Sequence, residues 1–161
     1  MEIPVVVYGV VLDPTSNSPI IILKDEFTNR ILPIWIGIFE ANAIAMKLEG
    51  VTTPRPMTHD LLKNVIEKMG GSVEKIVVDD LKDGTFYGKI YIKKGEETLK
   101  IDSRPSDAIA LAVRVGAPIF VEENVFKEAS IVGTTEGLPD GEDLRDWLEN
   151  LSPDDLGKYK M

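Results

Sequence analysis

The chain has 161 residues, no cysteine, 28% charged residues and a formal net charge of −9. That length suits one cored domain, and the missing cysteines exclude disulfides, thiolate metal sites and thiol nucleophiles. The acidic total argues against non-specific coating of nucleic acid, which needs a positive footprint, yet leaves room for a nuclease whose carboxylates hold metal ions.

No apolar run approaches the ~20 residues that span a bilayer. The start, Met1-Glu2-Ile3-Pro4, lacks the basic opening of a signal peptide, so a cytoplasmic protein without membrane contact is expected. Residues 5–12 form a β-rich run closed by Asp13-Pro14 and turn-prone polar residues. Residues 20–24 and 30–36 predict a hairpin. The period then changes: Ala41, Ile44, Ala45 and Leu48 share one helix face, with Gly50 as the stop. A stiff Thr-Thr-Pro-Arg-Pro link precedes Thr58, the expected N-cap of a second helix whose apolar face carries Leu61, Leu62, Val65, Ile66 and Met69.

Residues 73–78 and 85–93 predict strands joined through Asp83-Gly84, a typical hairpin pair. Residues 96–102 return antiparallel. Pro105-Ser106 opens a helix that is apolar nearly all round and therefore belongs inside. Gly116 ends it, residues 119–121 give a short buried strand, and residues 123–129 a closing helix. Shifted by 65 positions, Ile34, Ile36 and Ala43-Ile44-Ala45 fall on Leu99, Ile101 and Ala108-Ile109-Ala110. The expected fold is therefore α+β: a mixed, largely antiparallel sheet, curled as a half-barrel around packed helices, built from a duplicated strand–strand–helix unit. Residues 1–130 form the domain. Residues 131–161 form a linker and a short amphipathic helical tail, with Leu144, Trp147, Leu148 and Leu151 as a stripe for docking. That tail and the exposed sheet edges point to a homodimer.

Two polar clusters stand at helix starts. Asp102-Ser103-Arg104-Pro105-Ser106-Asp107 could hold a phosphate on free N–H groups, with Arg104 as a two-pronged clamp. The plain alternative makes Ser106 and Asp107 first-turn residues and pairs Arg104 with Asp102. Arg55-Pro56-Met57-Thr58-His59-Asp60 contains the single histidine, the side chain type that ordinarily titrates near neutrality and suits acid–base work; equally, it could be satisfied locally. Asp79, Asp80 and Asp83 fit a turn better than an EF-hand loop. Glu40 fits a helix-dipole partner. Tyr87, Lys89, Tyr91 and Lys93 share one strand face, as single-stranded nucleic acid would stack upon, or as any solvated sheet face shows. Neither a phosphate-loop glycine pattern nor a serine nucleophile elbow occurs.

Four ordered stretches resemble the bifunctional nuclease family, whose members are assigned DNase and RNase activity. They are Leu32-Pro33-Ile34-Trp35-Ile36-Gly37; Arg55-Pro56-Met57-Thr58-His59-Asp60-Leu61-Leu62; Asp83-Gly84-Thr85-Phe86-Tyr87; and Asp102 through the following Arg104-Pro105-Ser106-Asp107-Ala108-Ile109. Ile38 stands where the family pattern has a more polar residue. The resemblance implies a metal-assisted phosphodiesterase acting on DNA and RNA. In that scheme Asp102, Asp107 and Glu40 hold a divalent ion such as Mg²⁺, Arg104, Arg55 and Ser106 bind the phosphate, and His59 acts as acid or base. Two rivals stand beside it: a dimeric, non-enzymatic module binding anions or proteins, and a structural dimer whose motif groups are consumed in internal hydrogen bonds. The enzyme scheme requires the motif loops to converge.

Overall fold

Period-2 patterning, Asx-type turns and glycine stops place the strands and helices of a computed structural model that describes residues 1–132. The tail stripe expected at residues 144–151 lies outside the described residues. Three strands, β1 (Glu2–Leu12), β2 (Pro19–Asp25) and β3 (Arg30–Trp35), form an antiparallel meander and lead into α1 (Ile38–Leu48). A second helix, α2 (Thr58–Lys68), intervenes. The plan then repeats: β4 (Gly71–Lys82), β5 (Thr85–Lys94) and β6 (Glu97–Ser103) form another meander and lead into α3 (Pro105–Val115). The chain continues through β7 (Ile119–Glu122), α4 (Glu123–Ala129) and β8 (Ile131–Val132).

All described strands join one open sheet in the order β6-β5-β4-β7-β1-β2-β3-β8. Only the β4–β7 pair is parallel, so the sheet is mixed and largely antiparallel as expected. β7 sits between the two meanders and welds their first strands together. Asp83 and Gly84 both adopt positive φ, 51° and 74°, the mirror-image turn that matches strand twist. That settles the turn reading of this acidic stretch. Gly116, at φ 73°, is the left-handed cap ending α3.

The main core lies between one face of the sheet and the helices. Ile21, Leu23, Leu32 and Ile34 meet Ile109, Leu111 and Ile44 there. Trp35 is fastened from the side: its indole N–H donates to Asp13 Oδ2 at 3.0 Å, while Asp13 Oδ1 accepts from the Thr15 backbone and hydroxyl. Among the described residues no helix is long and apolar enough to cross a membrane.

The apolar stripe of α2, whose cover the sequence left open, does not face the core: Leu61, Val65 and Met69 are exposed, and the helix packs through His59 and Ile66 instead. Helical period reveals that a stripe exists but not what covers it. The cap of α2 is also displaced by one residue. Thr58 is the first helical residue, Met57 is the N-cap, and Asp60 Oδ2 accepts the Met57 backbone N–H at 3.0 Å. A carboxylate reaching back from the third position does the work assigned to a threonine hydroxyl.

Candidate active site

The site is framed by one buried arginine. Arg114, in the last turn of α3, donates to Asp60 Oδ1 at 2.8 Å, to the Ala43 carbonyl at 3.0 Å and to the Ala110 carbonyl at 2.9 Å. It thereby ties α1, α2 and α3 at a single guanidinium. The Met57 backbone N–H and then Arg114 hold the Asp60 carboxyl below its ordinary pKa, against the effect of burial. Asp60 therefore fixes the first turn of α2, and that turn presents His59.

His59 is buried, and its Nε2 lies 2.9 Å from Asp107 Oδ1. With the carboxylate as acceptor, the neutral ring carries its proton on Nε2 and has Nδ1 as its free acceptor. Asp107 Oδ2 accepts from Arg104 Nε at 2.9 Å, and Arg104 Nη2 donates to Glu40 Oε1 at 2.6 Å. These two hydrogen-bonded carboxylates raise the Arg104 pKa, Asp107 more than Glu40. Glu40 and Asp107 are each the third residue of their helices, so both acids occupy a dipole-favoured first turn and converge on one guanidinium. The chain His59–Asp107–Arg104–Glu40 borders a cavity of about 400 Å³, with Phe39 and Met57 also in its wall. A second cavity of about 310 Å³ adjoins it through shared Met46, Met57 and Arg114, and is lined by Lys47, Arg55 and Asp60.

The structure thus brings His59, Asp107, Arg104 and Glu40 together, with Arg55 in the adjoining cavity. It does not bring Asp102 to them. Asp102 pairs in register with Lys89, and its carboxylate accepts from the Lys89 ammonium at 3.2 Å. Neighbouring Gly88 and Ile90 face α3 and the core, so strand alternation points Lys89 and Asp102 to the opposite side of the sheet. The expected pairing of Arg104 with Asp102 is replaced by Asp107 and Glu40. Ser106 is fully buried with its hydroxyl unpartnered, so it does not reach the cavity as a phosphate ligand. The Tyr87, Lys89, Tyr91, Lys93 face shares the far side with Asp102. There Tyr91 already carries Lys75 at 4.6 Å and Lys100 at 5.5 Å from its ring centre, and Tyr87 carries Lys82 at 5.6 Å.

The expected metal set fails on donor geometry. Asp102 is across the sheet, and the remaining pair, Glu40 and Asp107, already shares the Arg104 cation. Among the described residues no three His, Asp or Glu side chains form a group able to hold a metal ion. Sequence reasoning missed Arg114 and Phe39. An arginine inside an otherwise buried helix was a usable signal, since arginine is seldom buried unless paired; nothing marked Phe39 as exposed.

Residues 21–133 match the family model of the bifunctional nuclease domain. An uncharacterized protein of Mycobacterium tuberculosis strain H37Rv is 39% identical over 159 residues, covering 93% of this chain and 95% of that protein. Bifunctional nuclease 1 of Oryza sativa subsp. japonica is 27% identical over 116 residues, covering 70% of this chain but 35% of the rice protein. Bifunctional nuclease 2 of Arabidopsis thaliana is 28% identical over 110 residues, 66% of this chain and 33% of that protein.

Proposed function

The chain belongs to the bifunctional nuclease domain family, and on that premise we propose that it hydrolyses phosphodiester bonds of DNA and RNA in the cavity between α1, α2 and α3. The carrying observation is the bonded series His59–Asp107–Arg104–Glu40, assembled from three helices at one cavity wall. His59 Nδ1 accepts the proton of the attacking water, or of the 2′-hydroxyl in RNA, as the new P–O bond forms; the opposite P–O bond breaks and the leaving sugar oxygen takes a proton from solvent water. Asp107 orients the ring and offsets the imidazolium charge that forms, as in other carboxylate–histidine pairs. Arg104, 53% exposed at its side chain, turns toward the phosphate and neutralises charge developing on its oxygens. Glu40 and Asp107 hold that guanidinium in place beforehand. Metal assistance is left out of this scheme, because the cation between the two cavity carboxylates is Arg104.

The test is cleavage of supercoiled DNA and single-stranded RNA by the purified protein, with and without EDTA. Cleavage should survive EDTA and fall by about 10²–10⁴ in His59→Gln, the range that general acid–base groups contribute. Absence of cleavage across several divalent ions, or cleavage unchanged in the variant, overturns the proposal. Cleavage abolished by EDTA overturns its metal-free chemistry.

One observation favours the interaction-module reading as a second function. Val65 and Met69 of α2 lie exposed beside Leu99 of the edge strand β6, lining one shallow cavity with Ile66 and Ile92. Contiguous apolar surface at an open strand edge is an association surface, and we assign it to a second copy of the chain. Sedimentation should show a dimer that Val65→Lys converts to monomer; a monomeric wild type at all concentrations removes this reading.

A further inference from the structure

The nucleic-acid path expected on the sheet lies on the wrong side of the molecule from His59. The helical side has the complementary features. Phe39 is 82% exposed in the wall of the 400 Å³ cavity. An aromatic ring so exposed contributes nothing to the core, and it stands beside the one guanidinium positioned for phosphate. The adjoining cavity adds Lys47 and Arg55; both side chains are exposed and form no hydrogen bond or ion pair among the described residues. With Arg104 and Arg114 they place four cations in the walls of two adjoining cavities, together with the carboxylates of Glu40, Asp60 and Asp107.

We infer that this double cavity is a binding groove for single-stranded nucleic acid, with Phe39 as a platform on which one base stacks and Lys47 and Arg55 as backbone contacts. The inference rests on the nuclease reading for its substrate class but not for its binding geometry. A base can lie on Phe39 only when unpaired, because its faces are covered in a duplex. Stacking on an aromatic ring tolerates every base, and spaced cations follow the backbone without reading sequence. Selection between strands and duplexes then comes from a surface residue that takes no part in proton transfer, and the same groove accepts DNA and RNA.

The experiment measures binding apart from cleavage. Fluorescein-labelled 12-mers of deoxythymidine and uridine, and a 12-base-pair duplex, are titrated in anisotropy assays against the His59→Gln protein. Phe39→Ala, Phe39→Trp, Lys47→Gln/Arg55→Gln and Tyr91→Ala are compared on that background. The single strands should bind more tightly than the duplex. Phe39→Ala should weaken them about tenfold and Phe39→Trp should restore them, while Lys47→Gln/Arg55→Gln should flatten the salt dependence. An unchanged melting temperature for Phe39→Ala shows that folding is not the cause. Equal binding of duplex and single strand, no binding of either, or loss of binding in Tyr91→Ala but not in Phe39→Ala overturns the inference. So does Phe39→Ala converting a dimer to a monomer with oligonucleotide affinity intact. If the Phe39 effect holds while the wild type cleaves nothing, the nuclease reading fails and the groove stands; cleavage without a Phe39 effect does the reverse.

Discussion

The two meander–helix units follow one plan and divide the work of burial in opposite ways. In the first, the strands carry the core: Ile20 to Leu23 of β2 are wholly buried, whereas α1 buries only Ala41 and Ile44. In the second, α3 is buried from Pro105 through Ala112 except Asp107 and shares the core with β4 and β5, while β6 is exposed along nearly its whole length. Equivalent positions show the inversion, with Ile34 at 0% exposure and Leu99, 65 residues on, at 38%. The lesson concerns the site. It forms where a surface helix start meets a core helix start, so the first unit contributes the exposed ring of Phe39 and the Glu40 carboxylate that holds Arg104. The second contributes groups on an anchored helix, Arg104 and Asp107.

The inversion breaks first under core truncation. Ile34→Ala should destabilise by about 2–5 kcal/mol through transfer and cavity terms, and Leu99→Ala by less than about 1 kcal/mol; urea unfolding measures both. Equal losses would mean that the β6 face is covered in solution, as the association surface on α2 and β6 would cause at high concentration. Next comes the clasp between the units. Arg114→Met strands Asp60 and two carbonyls at a largely buried site and should lower stability by about 3 kcal/mol. It should also reduce kcat by releasing His59, although Arg114 is a positioning residue and the cleavage pH profile should keep its shape.

Acid should loosen the first unit before the second. Burial pushes the Asp13 carboxyl up, but hydrogen bonds from Thr15 and Trp35 outweigh it and hold the pKa at about 2. Asp25 is similarly opposed by burial and still lowered, by the Phe27 N–H, Thr28 and Arg30. Depressed acids stabilise the fold fully above their unfolded pKa, near 4, and that stability disappears as pH falls toward the folded value. The Asp13 shift corresponds to about 2 kcal/mol. Hydrogen exchange between pH 4 and 2.5 should therefore show β1–β3 losing protection ahead of β4–β5. The smallest expected change is at Gly37, where a Cβ would collide with the Glu40 carboxylate. Gly37→Ala should leave stability within about 0.5 kcal/mol yet lower kcat/KM several-fold by moving Glu40 off Arg104.

Much of this fold was legible in the residues. Apolar period marked α3 as a buried helix, Asp83-Gly84 marked its hairpin, and the 65-residue echo marked the repeated unit. Period alone could not say which side of each element meets the core. The α2 stripe could be read as apolar but not as exposed, and the Tyr87–Lys93 face could be read as one surface but not as the side away from His59. The convergence of His59 with Asp107 joins residues 48 apart, and only the packing of α2 on α3 decides it. Strand alternation separated Asp102 from its neighbours in a way no local motif could reveal.

That separation gives the most direct test of the central claim. Asp107 and Asp102 stand five residues apart in one motif and on opposite sides of the sheet. Initial cleavage rates on single-stranded RNA should fall at least about 100-fold in Asp107→Asn and stay within about twofold of wild type in Asp102→Asn. A loss in Asp102→Asn with Asp107→Asn still active would contradict the assignment of the cavity as the active site.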